Sequence, residues 1–176
     1  MDALSKPELL ALLGAAKENS ERDWQMILVG YWHGLRASEV IAITGASVKD
    51  GFLAVDRLKG SNRTVQALVE HPEPLLNERP ALIELASKTY PNQRLFKVAR
   101  QHFWRLVQRY GKLAGIPQHK AHPHALKHSI AMQMIDKAGI HKTRQRLGHK
   151  SIASTGAYLK ETDASADAVV VGAVGL

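Results

Sequence analysis

The sequence has no cysteine, and that absence removes disulfide scaffolds, thiolate metal sites and cysteine nucleophiles together. It has no apolar run near the roughly 18 uncharged residues that a membrane-spanning helix needs. The start, Met1-Asp2-Ala3-Leu4, lacks the basic flank and apolar stretch of a signal peptide, so an intracellular location is expected. There is no internal repeat, no low-complexity tract and no internal linker. A Gly-x-x-x-x-Gly-Lys-Ser/Thr loop is also missing, which agrees with chemistry that does not consume ATP.

What remains is a chain of 176 residues, long enough for one domain with a real core and too short for two. Its net charge is +8, with nine histidines in addition. A basic domain suits a polyanionic partner, because every phosphate neutralised releases counterions. Charge alone gives nucleic acid only a modest advantage over an ordinary basic protein.

Ser5-Lys6-Pro7-Glu8 reads as a capping box that opens a helix buried through Leu9, Leu10, Leu12 and Leu13. A second helix is predicted over Arg22–Trp32 and a third over Arg36–Ile43. The period then shortens. Residues 46–48, 51–55 and 64–69 are short and β-branched and are separated by turn signals, which predicts an antiparallel meander with a basic second turn. Helical spacing resumes after Pro74 and runs in pieces to about Lys88. It returns over Arg100–Leu113, then over 124–137, 141–147 and 151–160. Phe103, Trp104, Leu106, Val107 and Tyr110 read as core, and Arg100, Arg105, Arg109 and Lys112 as a solvated face, with contact to DNA phosphates as the alternative. The expected fold class is α+β: mostly helical, with a small three-stranded antiparallel sheet.

Three stretches carry chemistry. Gly34-Leu35-Arg36-Ala37-Ser38-Glu39 places an arginine at a helix start with a carboxylate one turn on, able to hold it in one orientation. Alone, this is a capped helix with a surface ion pair. Leu58-Lys59-Gly60-Ser61-Asn62-Arg63 puts a lysine at a hairpin tip, which alone is an ordinary solvated turn. The third stretch is specific. His124, Lys127 and His128 stand at i, i+3 and i+4, on one helical face. Leu147-Gly148-His149 follows at a glycine-marked helix end, and Tyr158 comes nine residues after His149. His122, His124 and His128 also admit a metal-site reading, but no carboxylate or cysteine completes the set.

In this order the motifs resemble the tyrosine site-specific recombinases, the phage integrase family, and the similarity runs from Leu9 to about Lys160. The resemblance implies a recombinase catalytic domain that cleaves and rejoins DNA through a 3′-phosphotyrosyl intermediate, in integration or excision of mobile or phage DNA. It makes Tyr158 the nucleophile, Arg36 and Lys127 the clamps on the non-bridging oxygens, and Lys59 the donor to the leaving 5′ oxygen. His124 takes the general acid/base position and His149 the phosphate-bonding histidine position, with Glu39 and His128 in support. Arg63 and Lys150 are candidate DNA contacts. The implied partners are double-stranded DNA, further copies of the chain assembled on it as dimers or tetramers, and accessory DNA-bending or directionality factors. No metal or other cofactor is implied.

That chemistry is physically coherent. Preorganised cations stabilise the charge that gathers on the equatorial oxygens of the transition state. A phenol with an ordinary pKa near 10 needs cations and a base nearby to ionise. Two departures from the family stand out. Lys127 occupies a position that usually holds arginine, so charge is kept but the bidentate fork is lost. The separate N-terminal DNA-binding domain of most members is expected to be absent, as in an excised catalytic domain or a minimal recombinase. Residues 1–160 are then the catalytic domain. Residues 161–176, with apolar Val169–Val174, are a tail expected to pack on a neighbouring protomer or on its own domain. Three rival readings are a type IB topoisomerase, a catalytically silent DNA-binding regulator of the same fold, and a metal-dependent phosphodiesterase using the histidines.

Overall fold

The computed structural model describes residues 2–58 and 61–157. Ser5 caps α1 (Lys6–Asn19) and Glu8 closes the predicted capping box. Ser20 caps the next helix, α2 (Glu21–Trp32), through the backbone N–H of Asp23. Every residue of α2 from Asp23 to Tyr31 is buried, because the helix lies between α1 and α6 at the centre of the domain. Two of its polar side chains find partners there: Tyr31 donates to Gln133 at 2.6 Å, and Asp23 accepts from Tyr110 at 2.7 Å.

After α3 (Ala37–Ala42), the strands β1 (Val48–Lys49), β2 (Phe52–Val55) and β3 (Thr64–Ala67) form the predicted meander in the order β1-β2-β3. Register pairs Val48 with Leu53 and Val55 with Thr64, which turns Leu53, Val55 and Thr64 inward. The helices α4 (Arg79–Ser87), α5 (Arg100–Leu113), α6 (Pro123–Leu147) and α7 (Ile152–Gly156) complete the described chain. Gly139 interrupts α6 at φ 77°, ψ 171°, so two helical pieces meet end to end, as the separate 124–137 and 141–147 segments predict. No helix among the described residues is long and apolar enough to cross a membrane.

One core assignment fails. Phe103, Leu106, Val107 and Tyr110 are buried, but Trp104 is 48% exposed. Trp104 follows Phe103 by one position, about 100° round the helix, which carries it off the buried stripe.

Candidate active site

Arg36 N-caps α3, and the turn that leads into it depends on Gly34. Gly34 has φ 58°, and a Cβ there would collide with the Leu147 side chain. A glycine therefore lets the Arg36 turn lie directly on the end of α6. Glu39 is 2% exposed and accepts from the Arg36 backbone N–H at 2.7 Å, the Arg36 guanidinium at 3.3 Å and the Leu58 N–H at 3.0 Å. Burial pushes its carboxyl up, but these bonds and the charges of Arg57 and Lys127 outweigh it and leave the pKa lowered. The pairing of Arg36 with Glu39 read from the sequence is therefore present, with the carboxylate inside rather than on the surface.

Lys127 lies on the first half of α6, 2% exposed, and its Nζ has no hydrogen-bond partner among the described residues. Burial and then the Arg36 charge depress its pKa to about 8, with Glu39 opposing and Arg57 assisting. His124 stands one turn earlier at the exposed rim, its ring 4.2 Å from that of His128 in an edge-on arrangement. Desolvation on its inner side, then the charges of Lys127, His122 and Arg36, lowers the pKa of His124. Burial holds His128 lower still, at about 4.

Gly148 ends α6 in the left-handed conformation at φ 69°, as the Leu-Gly-His turn requires. A Cβ there would sit 2.8 Å from the Asn62 carbonyl oxygen. The Asn62 N–H donates to the Gly148 carbonyl at 2.6 Å, and Ser61 forms an isolated bridge with His149. The basic hairpin is thus tied to the His149 turn. His149 is 7% exposed, and its Nδ1 lies 2.9 Å from the Thr155 hydroxyl on α7. Burial, then Lys127, Arg36 and Arg57, depress its pKa to about 4, so the ring is neutral near pH 7.

The fold therefore brings Arg36, Glu39, Lys127 and His149 into one electrostatically coupled cluster, with His124 and His128 at its edge. Lys59 and Tyr158, together with the 161–176 tail, lie outside the described residues. Arg63 and Lys150 are both exposed, Arg63 being 3.4 Å from Asp56, which is more exposed still. Beside the cluster opens a groove of about 790 Å³. It is walled by Arg36, Leu58, His122 and His124 on one side and by Arg100, Gln101, Trp104 and Arg105 of α5 on the other. Among the described residues no group of three or more His, Asp or Glu is placed to hold a metal ion.

Sequence reading missed Arg57, whose side chain is fully buried. The signal was there: strand alternation after inward Leu53 and Val55 turns position 57 inward too. It also missed a buried polar cluster beneath the site. His33 Nε2 is 2.8 Å from Glu78 and its Nδ1 is 2.8 Å from Gln66. Arg146 donates to the Trp32 carbonyl at 2.8 Å, and Gln66 donates to the Arg146 carbonyl at 2.6 Å.

The phage integrase family model matches residues 2–165. The chain belongs to the phage integrase family. Among curated integrase-family relatives, tyrosine recombinase XerD of Vibrio cholerae is 29% identical over 167 residues, covering 88% of this chain and 55% of that protein. Tyrosine recombinase XerA of Pyrococcus furiosus is 30% identical over 171 residues, covering 91% and 57%. The chain thus spans a little over half the length of these relatives. Among solved integrase-family folds, the XerA recombinase crystal structure superposes with a TM-score of 0.75 at 23% identity, covering 99% of this chain and 64% of that one. A lambda integrase dimer bound to a core site gives 0.72 at 17% identity, covering 92% and 50%. The three-stranded sheet on a mostly helical domain is accordingly an integrase-family catalytic fold.

Proposed function

We propose that this chain is the catalytic domain of a site-specific tyrosine recombinase, acting inside the cell, that cleaves and rejoins DNA strands without metal or ATP. The observation that carries the reading is Lys127: a buried ammonium without an acceptor among the described residues, beside Arg36 and His149. A desolvated cation with no partner is costly. A phosphodiester seated against Lys127 and Arg36 supplies the missing acceptors and receives charge stabilisation where its transition state needs it. The neutral His149 then serves as a hydrogen-bonding group rather than a third cation.

In this reading Tyr158 attacks the scissile phosphorus, the P–O5′ bond breaks, and the 3′ phosphate stays on the tyrosine. Lys59 donates the proton that the leaving 5′ oxygen takes up, and His124 handles the phenol proton. Glu39 orients Arg36, and His128 supports His124. Religation reverses the step with a second strand's hydroxyl. The groove between Arg36 and α5 takes the flanking duplex backbone, with Arg63 and Lys150 as further phosphate contacts. Residues 1–160 form the catalytic unit and 161–176 a segment that contacts protomers, in dimers or tetramers assembled on DNA with accessory DNA-bending or directionality factors.

Nicked suicide duplexes test this directly. The wild type is expected to form a covalent adduct that survives denaturing gels and is indifferent to EDTA. Tyr158→Phe is expected to bind the same duplex and form none. An adduct with Tyr158→Phe, or cleavage that needs a divalent metal and leaves no adduct, overturns the assignment. Lys127 in place of arginine favours one second reading, a silent DNA-binding regulator. Wild type, Lys127→Arg and Lys127→Ala all binding DNA without cleaving would establish it.

A further inference from the structure

Arg57 has no place in the cleavage chemistry above, yet its side chain is fully buried in the middle of the site. Each of its donors meets an acceptor. Nε donates to the Thr64 hydroxyl at 2.9 Å. One terminal nitrogen donates to the Gly34 carbonyl at 3.1 Å and reaches Glu39 at 3.5 Å. The other donates to the His33 carbonyl at 2.8 Å and the Arg146 carbonyl at 3.3 Å. A guanidinium carries five N–H groups in a rigid fork, so five acceptors from four separate stretches account for all of them. Three of those stretches hold candidate site residues: the turn before Arg36, the carboxylate that orients Arg36, and the end of α6 before His149.

We infer that Arg57 is a positioning residue for strand cleavage: it rivets the Arg36 turn to the His149 turn and fixes Glu39 between them. The inference rests on the cleavage reading and adds a residue to it. A carbonyl acceptor does not neutralise a guanidinium, and Glu39 is shared with Arg36, so Arg57 also leaves net positive charge at the site. The charged groups that bear on Lys127 are Arg36 and Arg57 on one side of the balance and Glu39 on the other. Lysine is a poor replacement, since a compact ammonium has three donors and cannot span acceptors held in a planar fork.

The test uses Arg57→Lys and Arg57→Gln in the full chain, with folding checked by circular dichroism and thermal melting. Two properties are then measured. The first is the single-turnover rate of adduct formation on a suicide duplex against duplex affinity. Both variants are expected to cleave on the order of tenfold to a hundredfold more slowly with affinity nearly unchanged, as for a displaced reacting group. The second is an NMR titration of the Lys127 side chain in the DNA-free protein, which does not depend on cleavage. Arg57→Gln is expected to raise the Lys127 midpoint above about 8, whereas Arg57→Lys, which keeps the charge, leaves it nearly in place. A residue that only supports the fold would lower the melting temperature and leave the Lys127 midpoint where it was in both variants. A folded variant that cleaves at the wild-type rate, or an unmoved Lys127 midpoint in Arg57→Gln, overturns the inference. Should Arg57→Gln fail to fold, the cleavage-to-affinity split in Arg57→Lys decides. A wild type that forms no adduct refutes the cleavage reading instead, and the titration still decides whether Arg57 sets the charge of the site.

Discussion

Lys127 is 2% exposed and its Nζ lacks a hydrogen-bond partner among the described residues, so the folded chain carries a desolvated ammonium. Its pKa falls from 10.5 to about 8. The sign follows from proton counts. Between those values the unfolded chain holds a proton that the folded chain has released, so stability rises with pH through this window. Below about 8 the full penalty of the buried charge is present. Lys127→Met, of similar length and apolar, is therefore expected to raise the melting temperature at neutral pH, by an amount worth on the order of 1–3 kcal/mol, while abolishing adduct formation. A melting temperature that falls would mean the ammonium has a stabilising partner in the folded chain. Activity runs the other way with pH. On the proposed cleavage reading Lys127 clamps the phosphate in its charged form, so cleavage at limiting DNA should fall as pH rises past about 8. A bound phosphate favours the ammonium, so at saturating DNA the fall moves to higher pH. Lys127→Arg should cleave and lose this alkaline limb, because a guanidinium does not titrate there. A limb that persists unchanged in Lys127→Arg belongs to another group.

At the scale of elements, the turn Leu147-Gly148-His149 joins three things: the end of α6, the hairpin at Asn62 and the helix α7 that carries Thr155. Gly148 makes this possible with φ 69° and no Cβ against the Asn62 carbonyl. Gly148→Ala should cost about 1–2 kcal/mol from the left-handed backbone alone, with a further penalty from the clash. At about 2–4 °C per kcal/mol for a domain of this size, the melting point should drop by several degrees. Cleavage should fall more than stability does, because His149 and the hairpin shift together. Gly156→Ala is the control, since a Cβ there meets nothing within 4 Å; it should be neutral or slightly stabilising in its helix. Equal melting points for the two variants would show that the turn tolerates a side chain. Such local devices were legible beforehand: the Ser5 capping box, the meander, the bounds of α5 and the glycine after α6 are written within a few residues of where they act. Arg57 was not. Alternation turns it inward, but its burial is offset by carbonyls of His33, Gly34 and Arg146, which only the folded chain assembles. Trp104 was misread because helical spacing near a core stripe does not reveal that α5 borders an open groove.

For the whole molecule, the charge of +8 becomes informative through where it is placed. Arg36, Arg100 and Arg105 face one groove from two elements, with His122 and His124 beside them. The helix face read as solvated on α5 is thus one wall of a basic groove that Arg36 also lines. On the proposed reading, DNA phosphates bound along that groove would release counterions, and log affinity would fall with log salt by about 0.9 for each phosphate neutralised. Among the described residues Arg100 and Arg105 border the groove without a salt bridge to an acidic side chain, whereas Arg63 faces Asp56 at 3.4 Å. Replacing both Arg100 and Arg105 by alanine is expected to flatten the slope by roughly two phosphates' worth, to weaken binding of all duplexes, and to leave the melting temperature nearly unchanged. Arg63→Ala should flatten it by no more than about one, and by less if Asp56 keeps the arginine when DNA is present. The measurement is fluorescence anisotropy with a labelled duplex over a series of salt concentrations. A wild-type slope near zero would remove DNA as the partner of this groove, and a double variant with an unchanged slope would place the phosphates on another face of the domain.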